Sequence, residues 1–178
     1  MISPDELLFS VDEHDKPIDP HPYALSHQSG IWHRTSHVWI VSADDKILCQ
    51  RRQSPQHANP DQWEPFFEGH LGPHQTYLAG ALQEVTEALG PSLQPEQVRF
   101  WKVHKCMPES EFQSIYVLQW DDSTVPFQLR HQSTNTIAWH SLETVAQHTD
   151  TTHNPNWTQI GYESELFDWI RTGHSASS

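Results

Sequence analysis

Residues 69–91, GHLGPHQTYLAGALQEVTEALGP, decide how the rest of this chain is interpreted. A glycine-containing loop leads into an amphipathic helix. Thr76 is well suited to cap the start of that helix. Gly90 followed by Pro91 is typical of a helix end. Apolar, strand-like residues precede the loop, so the order strand, loop, helix predicts a mixed sheet with helices packed on it.

The predicted helix has an apolar face and a carboxylate face. Its apolar residues recur at i, i+4, i+7 and i+11 as Leu78, Leu82, Val85 and Leu89. Glu84 and Glu87 share another face, because residues three apart on a helix are neighbours. Such carboxylates either hold a hard divalent cation or form the solvated face of an amphipathic helix. Gly80 costs the helix ~1 kcal/mol relative to Ala, unless a neighbour packs closely there.

This stretch resembles the Nudix box, whose family pattern is G-x5-E-x7-R-E-U-x-E-E-x-G-U, with U an apolar residue. The spacing fits without a gap, and the matching positions are Gly69, Glu84, Val85, Glu87 and Gly90. The departing positions are Gln75, Gln83, Ala88 and Pro91, which replace Glu, Arg, Glu and the last apolar residue. The resemblance implies an α/β (α+β) fold, the Nudix α/β/α sandwich. In it a mixed β-sheet is flanked by helices and the box forms a loop–helix–loop.

The resemblance also implies hydrolysis of a diphosphate linkage with Mg²⁺ or Mn²⁺, which neutralises the oxygens and activates water. The box residues that usually bind the metal fall on Glu84 and Ala88. Because Ala88 has no ligand atom, Glu87 is expected to substitute, together with the carbonyl of Gly69. The charged pair that normally braces the loop is lost, and a hydrogen bond between Gln75 and Gln83 is its expected replacement.

A wider resemblance, to the isopentenyl-diphosphate-isomerase-like branch of the family, covers roughly residues 6 to 170. It rests on two basic residues that close a strand, a Pro before a Trp, and a Gly-His pair: Arg51, Arg52, Pro60, Trp63, Gly69 and His70. The isomerases build a metal site from three His and two Glu. By position these are His27, His33, His70, Glu109 and Glu111. Imidazole with carboxylate suits Mn or Zn better than Mg, although any single His can equally be an ordinary core or surface side chain.

One departure disfavours isomerase chemistry. That reaction protonates an alkene and uses a Cys immediately before the Gly-His pair, where this chain has Glu68. A Lys of the neighbouring basic loop is also replaced, by Gln56 or His57. Hydrolysis is therefore the preferred interpretation.

The residues expected to act in hydrolysis fall into three sets. The predicted catalytic residues are Glu84, Glu87 and Glu111. The predicted metal ligands are Gly69, Glu84, Glu87, Glu109, Glu111 and His70. The predicted diphosphate contacts are Arg34, Arg51, Arg52 and Lys105, since Arg suits bidentate phosphate binding. The alternative for these basic residues is charge balance on an acidic surface.

Length and charge limit the remaining possibilities. The chain has 178 residues, which favours one Nudix domain over residues 1–178 with a flexible tail at about 172–178. Lys and Arg number 10 against 23 Asp and Glu, and the formal charge of −13 disfavours nucleic acid and anionic membranes as partners. The acidic N-terminus lacks the layout of a signal peptide, so a cytoplasmic location is expected. Cys49 and Cys106 are expected to be buried free thiols, and the oligomeric state stays open, a dimer included.

The apolar runs predict the remaining elements. Strands are expected at residues 6–12, 38–41, 47–50, 63–68, 98–106, 112–120 and 136–140, and further helices at 142–147 and 156–171.

Three functions follow, in order of preference. The first is a divergent Nudix pyrophosphohydrolase acting on a small nucleoside-diphosphate-type metabolite. The second is a Nudix fold that binds such a ligand without catalysis, as Gln75, Gln83 and Ala88 suggest. The third is the isomerase.

Overall fold

The computed structural model describes residues 2–51, 61–90, 94–120, 136–149 and 154–172. The strands are β1 Leu7–Leu8, β2 His21–Pro22, β3 His33–Ser42, β4 Lys46–Arg51, β5 Trp63–Glu64, β6 Phe67–His70, β7 Val98–Cys106, β8 Glu111–Trp120 and β9 Thr136–Ser141. The helices are α1 Tyr23–Ser29, α2 Tyr77–Leu89, α3 Leu142–Thr149 and α4 Glu163–Arg171, with a 3₁₀ turn at Pro95–Gln97. The predicted α/β class is confirmed.

The chain divides into two compact units. The first comprises Met1–Ile40 and Phe67–His131, and the second comprises Val41–Phe66 and Gln132–Ser178. The prediction of one domain over residues 1–178 stays a prediction. Of the predicted tail, residues 173–178 lie outside the described part of the chain.

In the first unit, β3 lies between β6 and β8, and β7 lies beyond β8. The β3–β6 pair is antiparallel, with Thr35 opposite His70 and His37 opposite Glu68. Because side chains alternate along a strand, odd-numbered residues of β3 face one side of the sheet and even-numbered ones face the other. Helix α2 packs on the even-numbered side, where the Ser36 hydroxyl donates to the Tyr77 carbonyl at 2.9 Å.

Helix α2 has the boundaries that its end signals predict. The Thr76 side chain accepts a hydrogen bond from the backbone N–H of Ala79 at 3.2 Å. Gly90 follows the last turn with a φ of 89°, a conformation that favours glycine. The apolar face is only partly as predicted. Val85 and Leu89 are buried, whereas Leu78 and Leu82 are half-buried, because the buried face is centred instead on Gly80, Ala81, Val85 and Leu89.

The expected N-terminal strand is much shorter than residues 6–12. Only Leu7–Leu8 pair as a strand, and Ser10 and Val11 each make an isolated bridge. The chain turns just afterwards because the Asp12 carboxylate accepts hydrogen bonds from the backbone N–H groups of His14 and Lys16, at 2.8 and 3.0 Å. Helix α1, which follows β2, has no counterpart in the sequence prediction.

The last helix begins at Glu163 instead of residue 156. Gly161 has a φ of 102°, which interrupts a right-handed helix. The Glu163 carboxylate accepts hydrogen bonds from the backbone N–H groups of Ile160 and Gly161, at 2.5 and 2.6 Å. These bonds fix the start of α4, so the residues before it form no helix.

In the second unit, β4 pairs antiparallel with both β5 and β9, and α3 packs against α4. Cys49 of β4 and Cys106 of the first unit are both buried free thiols, as predicted. Across the described ranges, none of the helices is long and apolar enough to cross a membrane.

Gly80 is required by close packing within the first unit. A Cβ at this position would lie 2.9 Å from Cδ1 and 3.1 Å from Cγ of Leu71, which is fully buried. We therefore expect Gly80→Ala to lower the free energy of unfolding by about 1–3 kcal/mol, as overpacked cores do, even though Ala favours helices. Urea denaturation measures the change.

Two comparisons isolate the cause. Ala79→Gly, at an exposed position of the same helix, should cost ~1 kcal/mol through helix propensity alone. In a Leu71→Ala background the Gly80→Ala penalty should disappear, because the overlapping methyl groups are gone. A Gly80→Ala protein more stable than the parent would contradict the packing argument.

Candidate metal centre

The odd-numbered side of the first unit's sheet carries an unusual set of polar side chains, most of them buried. They come from three strands: His33, Thr35 and His37 of β3, Glu68 and His70 of β6, and Glu111 and Gln113 of β8. Buried polar groups are costly unless they are hydrogen-bonded or bind an ion. Their alternation along each strand places them on one face.

Three of these residues converge with His27 of helix α1. In the described part of the chain, one ligand atom from each of His27, His33, His70 and Glu111 lies within 4.8 Å of all the others. The Nε2 atoms of His27 and His70 are 3.2 Å apart. Oε1 of Glu111 lies 3.3 Å from Nε2 of His33 and 3.6 Å from Nε2 of His70. Ligand atoms about 2.0–2.2 Å from a tetrahedrally coordinated ion are roughly 3.3–3.6 Å apart, so this donor set fits a transition metal.

The ring of His33 is oriented for metal binding. Its Nδ1 lies 2.8 Å from the Ile31 carbonyl, to which it donates. Its Nε2 is buried and makes no hydrogen bond with the described residues. A ligating His usually donates its other ring N–H to a carbonyl or carboxylate, which fixes the tautomer. The Ile31 contact therefore directs the Nε2 lone pair of His33 into the cluster.

Glu111 is held by hydrogen bonds to one oxygen, which leaves the other for the cluster. Oε2 accepts from the Gln113 amide at 2.9 Å and from the Thr35 hydroxyl at 3.3 Å. Burial alone would raise the pKa of Glu111, but contact with His33, the nearby His70 imidazole and the Gln113 amide outweigh burial and lower it. The carboxylate is therefore ionised, as a ligand must be.

The three imidazoles differ in their protonation. Burial lowers the pKa of His27 and of His70, and the neighbouring His33 lowers the pKa of His27 further. These two rings are therefore neutral near pH 7. Burial would lower the pKa of His33 too, but the Glu111 carboxylate and the Ile31 carbonyl raise it. Without an ion, a proton on His33 balances the charge of Glu111; a bound cation takes the place of that proton.

Helix α1 supplies His27. It ends at Gly30, which has a φ of 63° and tolerates the left-handed turn that returns the chain to β3. The Tyr23 ring packs against the imidazoles of His27 and His70, with centroids 4.4 and 5.2 Å apart. His27 was predicted as a ligand only through the family resemblance, because no helix was expected at residues 23–29.

A second group lies beside the first. His37, Glu68 and Glu111 also bring one ligand atom each within 4.8 Å of one another. Nε2 of His37 lies 4.0 Å from Oε2 of Glu68. No role was predicted from the sequence for His37, Thr35 or Gln113. The available signal was the unbroken polar run at residues 33–37, directly before the apolar half of the same strand.

The box carboxylates do not join either group. A Cβ on Gly69 would lie 2.7 Å from Oε2 of Glu84, so Glu84 approaches the side of β6 opposite to Glu68 and His70. Glu87 is exposed and accepts a hydrogen bond from the Gln83 amide at 2.7 Å. Gly69 itself lies within β6 and not in a loop. In the described ranges, no group of three ligand residues includes Glu84 or Glu87.

The expected replacement for the lost charged pair is confirmed. The Gln75 amide donates to Oε1 of Gln83 at 2.8 Å, and Oε1 of Gln75 accepts from the backbone N–H of Gly72 at 3.0 Å. With Glu87 they form a hydrogen-bonded chain along the exposed side of α2. Neutral amides therefore brace the loop against the helix.

Neither Glu109 nor the described basic residues belong to the two ligand groups. Glu109 is exposed and belongs to neither ligand group. Arg34 is bound to Asp15, with Nε 2.6 Å from Oδ1, and its guanidinium stacks on the rings of Phe9 and Tyr77. These contacts commit Arg34 to the internal structure of the first unit.

The remaining predicted diphosphate contacts are distributed along the chain. Lys105 donates to the Glu13 carbonyl at 2.6 Å. Arg51, in the second unit, donates to the Asp61 carbonyl at 2.9 Å. Arg52 and Pro60 lie outside the described residues. The assignment of these residues to diphosphate stays a prediction.

Comparison with known proteins decides the family. The sequence matches the NUDIX domain over residues 32–159, which is more than half of the chain. The chain belongs to the Nudix family. It is 26% identical over 155 residues to an isopentenyl-diphosphate Delta-isomerase of Serratia proteamaculans, a match that covers 85% of this chain and 84% of that protein.

Further similarities support the same assignment. An uncharacterized Nudix hydrolase of Streptomyces coelicolor is 30% identical over 92 residues, which is 52% of this chain and 51% of that protein. The crystal structure of DR0079 from Deinococcus radiodurans superposes with a TM-score of 0.66 at 17% identity, covering 92% of this chain and 98% of that one. The predicted Nudix α/β/α sandwich, with a mixed sheet and helices, is therefore confirmed.

The two acidic residues that the resemblance assigned to a metal site are expected to behave differently. Glu111→Gln should weaken Mn²⁺ or Zn²⁺ binding by roughly 100-fold or more, since changing even an outer partner of a ligand costs about 10–100-fold. Glu109→Gln should leave affinity within about twofold, because Glu109 is exposed and outside the cluster. Isothermal titration of metal-stripped protein measures both, with circular dichroism to confirm folding. Equal effects of the two substitutions would contradict the placement of the site.

Proposed function

We propose that this Nudix protein is a metal-dependent hydrolase that cleaves a diphosphate linkage in a small nucleoside-diphosphate-type metabolite. The observation that supports it best is the convergence of His27, His33, His70 and Glu111 at metal-ligand spacing, in a family whose enzymes act with divalent metals. Each of the four residues lies in a helix or a strand, and the side chains of His33 and Glu111 are also fixed by hydrogen bonds.

The charge of the protein makes the metal central to this proposal. A chain with a formal charge of −13 repels a diphosphate unless local positive charge offsets the repulsion. When bound, a divalent ion supplies that charge and lowers the pKa of a coordinated water. Three imidazoles and one carboxylate favour Mn²⁺, or Zn²⁺, over Mg²⁺.

The protein's own residues have separate tasks. His27, His33, His70 and Glu111 would hold the ion, with Ile31 fixing the tautomer of His33. Thr35 and Gln113 fix Glu111 through its second oxygen. Glu84 lies against the backbone of Gly69, which precedes the ligand residue His70 in the chain. We assign to Glu84 the part in catalysis that the Nudix box implies.

The relatives named isopentenyl-diphosphate Delta-isomerase make isomerisation the activity to test against hydrolysis. Glu68 stands where the isomerase-like pattern has the Cys, so the thiol of that reaction is missing. We therefore expect no conversion of isopentenyl diphosphate.

The decisive experiment is a metal-dependent assay on purified protein. Metal-stripped protein is reloaded with Mn²⁺, Zn²⁺ or Mg²⁺ and incubated with a panel of nucleoside diphosphates, their conjugates and isopentenyl diphosphate. The phosphate-containing cleavage products and the alkene position are followed separately. Mn²⁺-dependent cleavage of a diphosphate that Glu111→Gln abolishes is the expected result. Isomerisation without cleavage would replace the hydrolase assignment, and metal binding without any turnover would favour the binding protein.

The two box carboxylates provide a matched pair of substitutions. Glu84→Gln is expected to lower kcat/KM more than about tenfold, equivalent to roughly 1.4 kcal/mol of barrier. Glu87→Gln should change it less than about twofold, because this side chain is exposed and its oxygen is bound to Gln83. Steady-state kinetics on the best substrate of the panel measures both. A larger loss for Glu87→Gln would reverse the assignment.

A binding protein without catalysis is the second candidate, supported by the absence of a ligand atom at Ala88 and by the neutral pair Gln75–Gln83. Ala88→Glu restores a carboxylate four residues after Glu84, on the same face of α2. If the native protein is inert, this variant should gain Mg²⁺ affinity and measurable turnover. Ala79→Glu adds the same charge at an exposed position of the helix and should gain neither. Turnover by the native protein would exclude the binding-only function.

A further inference from the structure

We propose that the metal centre is dinuclear, with a second ion held by His37, Glu68 and Glu111 beside the ion held by the three other histidines. Glu111 would bridge the two positions through its carboxylate. The ions are divalent transition metals such as Mn²⁺ or Zn²⁺, because each position offers both imidazole and carboxylate donors.

The pairing of β3 with β6 builds the second position. His37 and Glu68 are directly opposite in this antiparallel pair, two residues along each strand from Thr35 and His70. Their side chains therefore lie on the same face of the sheet as the first cluster. The backbone register, not a flexible loop, fixes the position of both ligands.

The spacing between these two side chains suits an ion better than a hydrogen bond. Nε2 of His37 and Oε2 of Glu68 are 4.0 Å apart, beyond the 2.7–3.2 Å typical of an N–H···O bond. In octahedral coordination, two ligand atoms about 2.1 Å from one ion are roughly 3.0 Å apart when they are neighbours and about 4.2 Å apart when they lie on opposite sides of the ion. The observed separation lies within that range.

Glu111 is positioned to serve both ions. Its Oε1 is 3.3 Å from Nε2 of His33 on one side, and one of its oxygens lies within 4.8 Å of the ligand atoms of His37 and Glu68. Paired catalytic metal ions are about 3.5–4 Å apart, a distance that one carboxylate oxygen about 2.1 Å from each ion can span. Thr35 and Gln113 hold the carboxylate in the orientation required.

Charge and burial support the same conclusion. The His37 side chain is 0% exposed, Glu68 27% and Glu111 4%. Two carboxylates this close repel each other strongly when shielded from water. One ion at the three-histidine position offsets the charge of Glu111, and a second ion between His37 and Glu68 would offset the charge of Glu68. The partial exposure of Glu68 leaves one side open to water or to a phosphate oxygen.

This inference rests on the first centre of the proposed function, because Glu111 is shared, but it does not depend on which reaction occurs. Metal stoichiometry and magnetic coupling report it without any substrate. The test therefore distinguishes failure of the second position from failure of the hydrolase assignment.

The experiment titrates metal-stripped full-length protein with Mn²⁺. Bound metal is measured by elemental analysis after desalting, and its environment by electron paramagnetic resonance. Native protein should bind two equivalents and show the multiline spectrum of an exchange-coupled pair. Glu68→Gln should bind one equivalent and show the six-line spectrum of an isolated ion. Glu13→Gln, which alters the exposed His14–Glu13 pair, is the matched control and should keep two coupled equivalents.

Each outcome decides the proposal. One equivalent in the native protein at saturating Mn²⁺, with a six-line spectrum, would overturn the second position. Two uncoupled equivalents, unaffected by Glu68→Gln, would place the second ion elsewhere and also overturn it. Two coupled equivalents in a protein that cleaves no diphosphate would support the dinuclear centre and remove the hydrolase function. Because the native protein alone gives the stoichiometry, failure of a variant to fold leaves the test intact.

Discussion

The buried carboxylate of Glu111 is the constraint around which the centre of the first unit is organised. It is almost fully buried and ionised, surrounded by the imidazoles of His33 and His70, the Gln113 amide and the Thr35 hydroxyl. A carboxylate in this environment requires compensating charge. The protein supplies hydrogen bonds to one oxygen and directs imidazole nitrogens at the other. This asymmetry distinguishes the candidate metal centre from a simple buried ion pair, in which both carboxylate oxygens would face the cation.

The sheet supplies the precision that such a centre requires. Glu111 begins β8, His33 begins β3 and His70 ends β6, so three strand ends meet at the same edge. A metal site tolerates errors of only a few tenths of an ångström in its ligands. Strand register provides that accuracy, while helix α1 adds His27 from above the sheet.

The box helix lies apart from the candidate metal centre, although its motif implied that its carboxylates would bind the metal. Gly69 allows Glu84 to approach the backbone of β6 closely, and Gly80 allows α2 to approach Leu71. Both glycines therefore serve packing on the side of the sheet opposite the histidines. The loss of ligand charge at Ala88 and of the charged brace at Gln75 and Gln83 has left the architecture intact, because neutral amides still join the loop to the helix. The fold of this chain therefore does not depend on the charged residues of the box.

The sequence by itself determined the class of fold, the ends of α2 and the strands β7 and β8, because caps, glycines and apolar runs are local signals. It did not reveal helix α1 or the late start of α4, where Gly30, Gly161 and the Glu163 side chain decide the outcome. Nor did local pattern show which carboxylates meet. Glu84, Glu87 and Glu111 were all predicted to act in catalysis, but Glu84 and Glu111 lie on opposite sides of the sheet, and only the pairing of β3 with β6 brings His37 to Glu68. Such contacts join residues distant in sequence, so only the tertiary structure decides them.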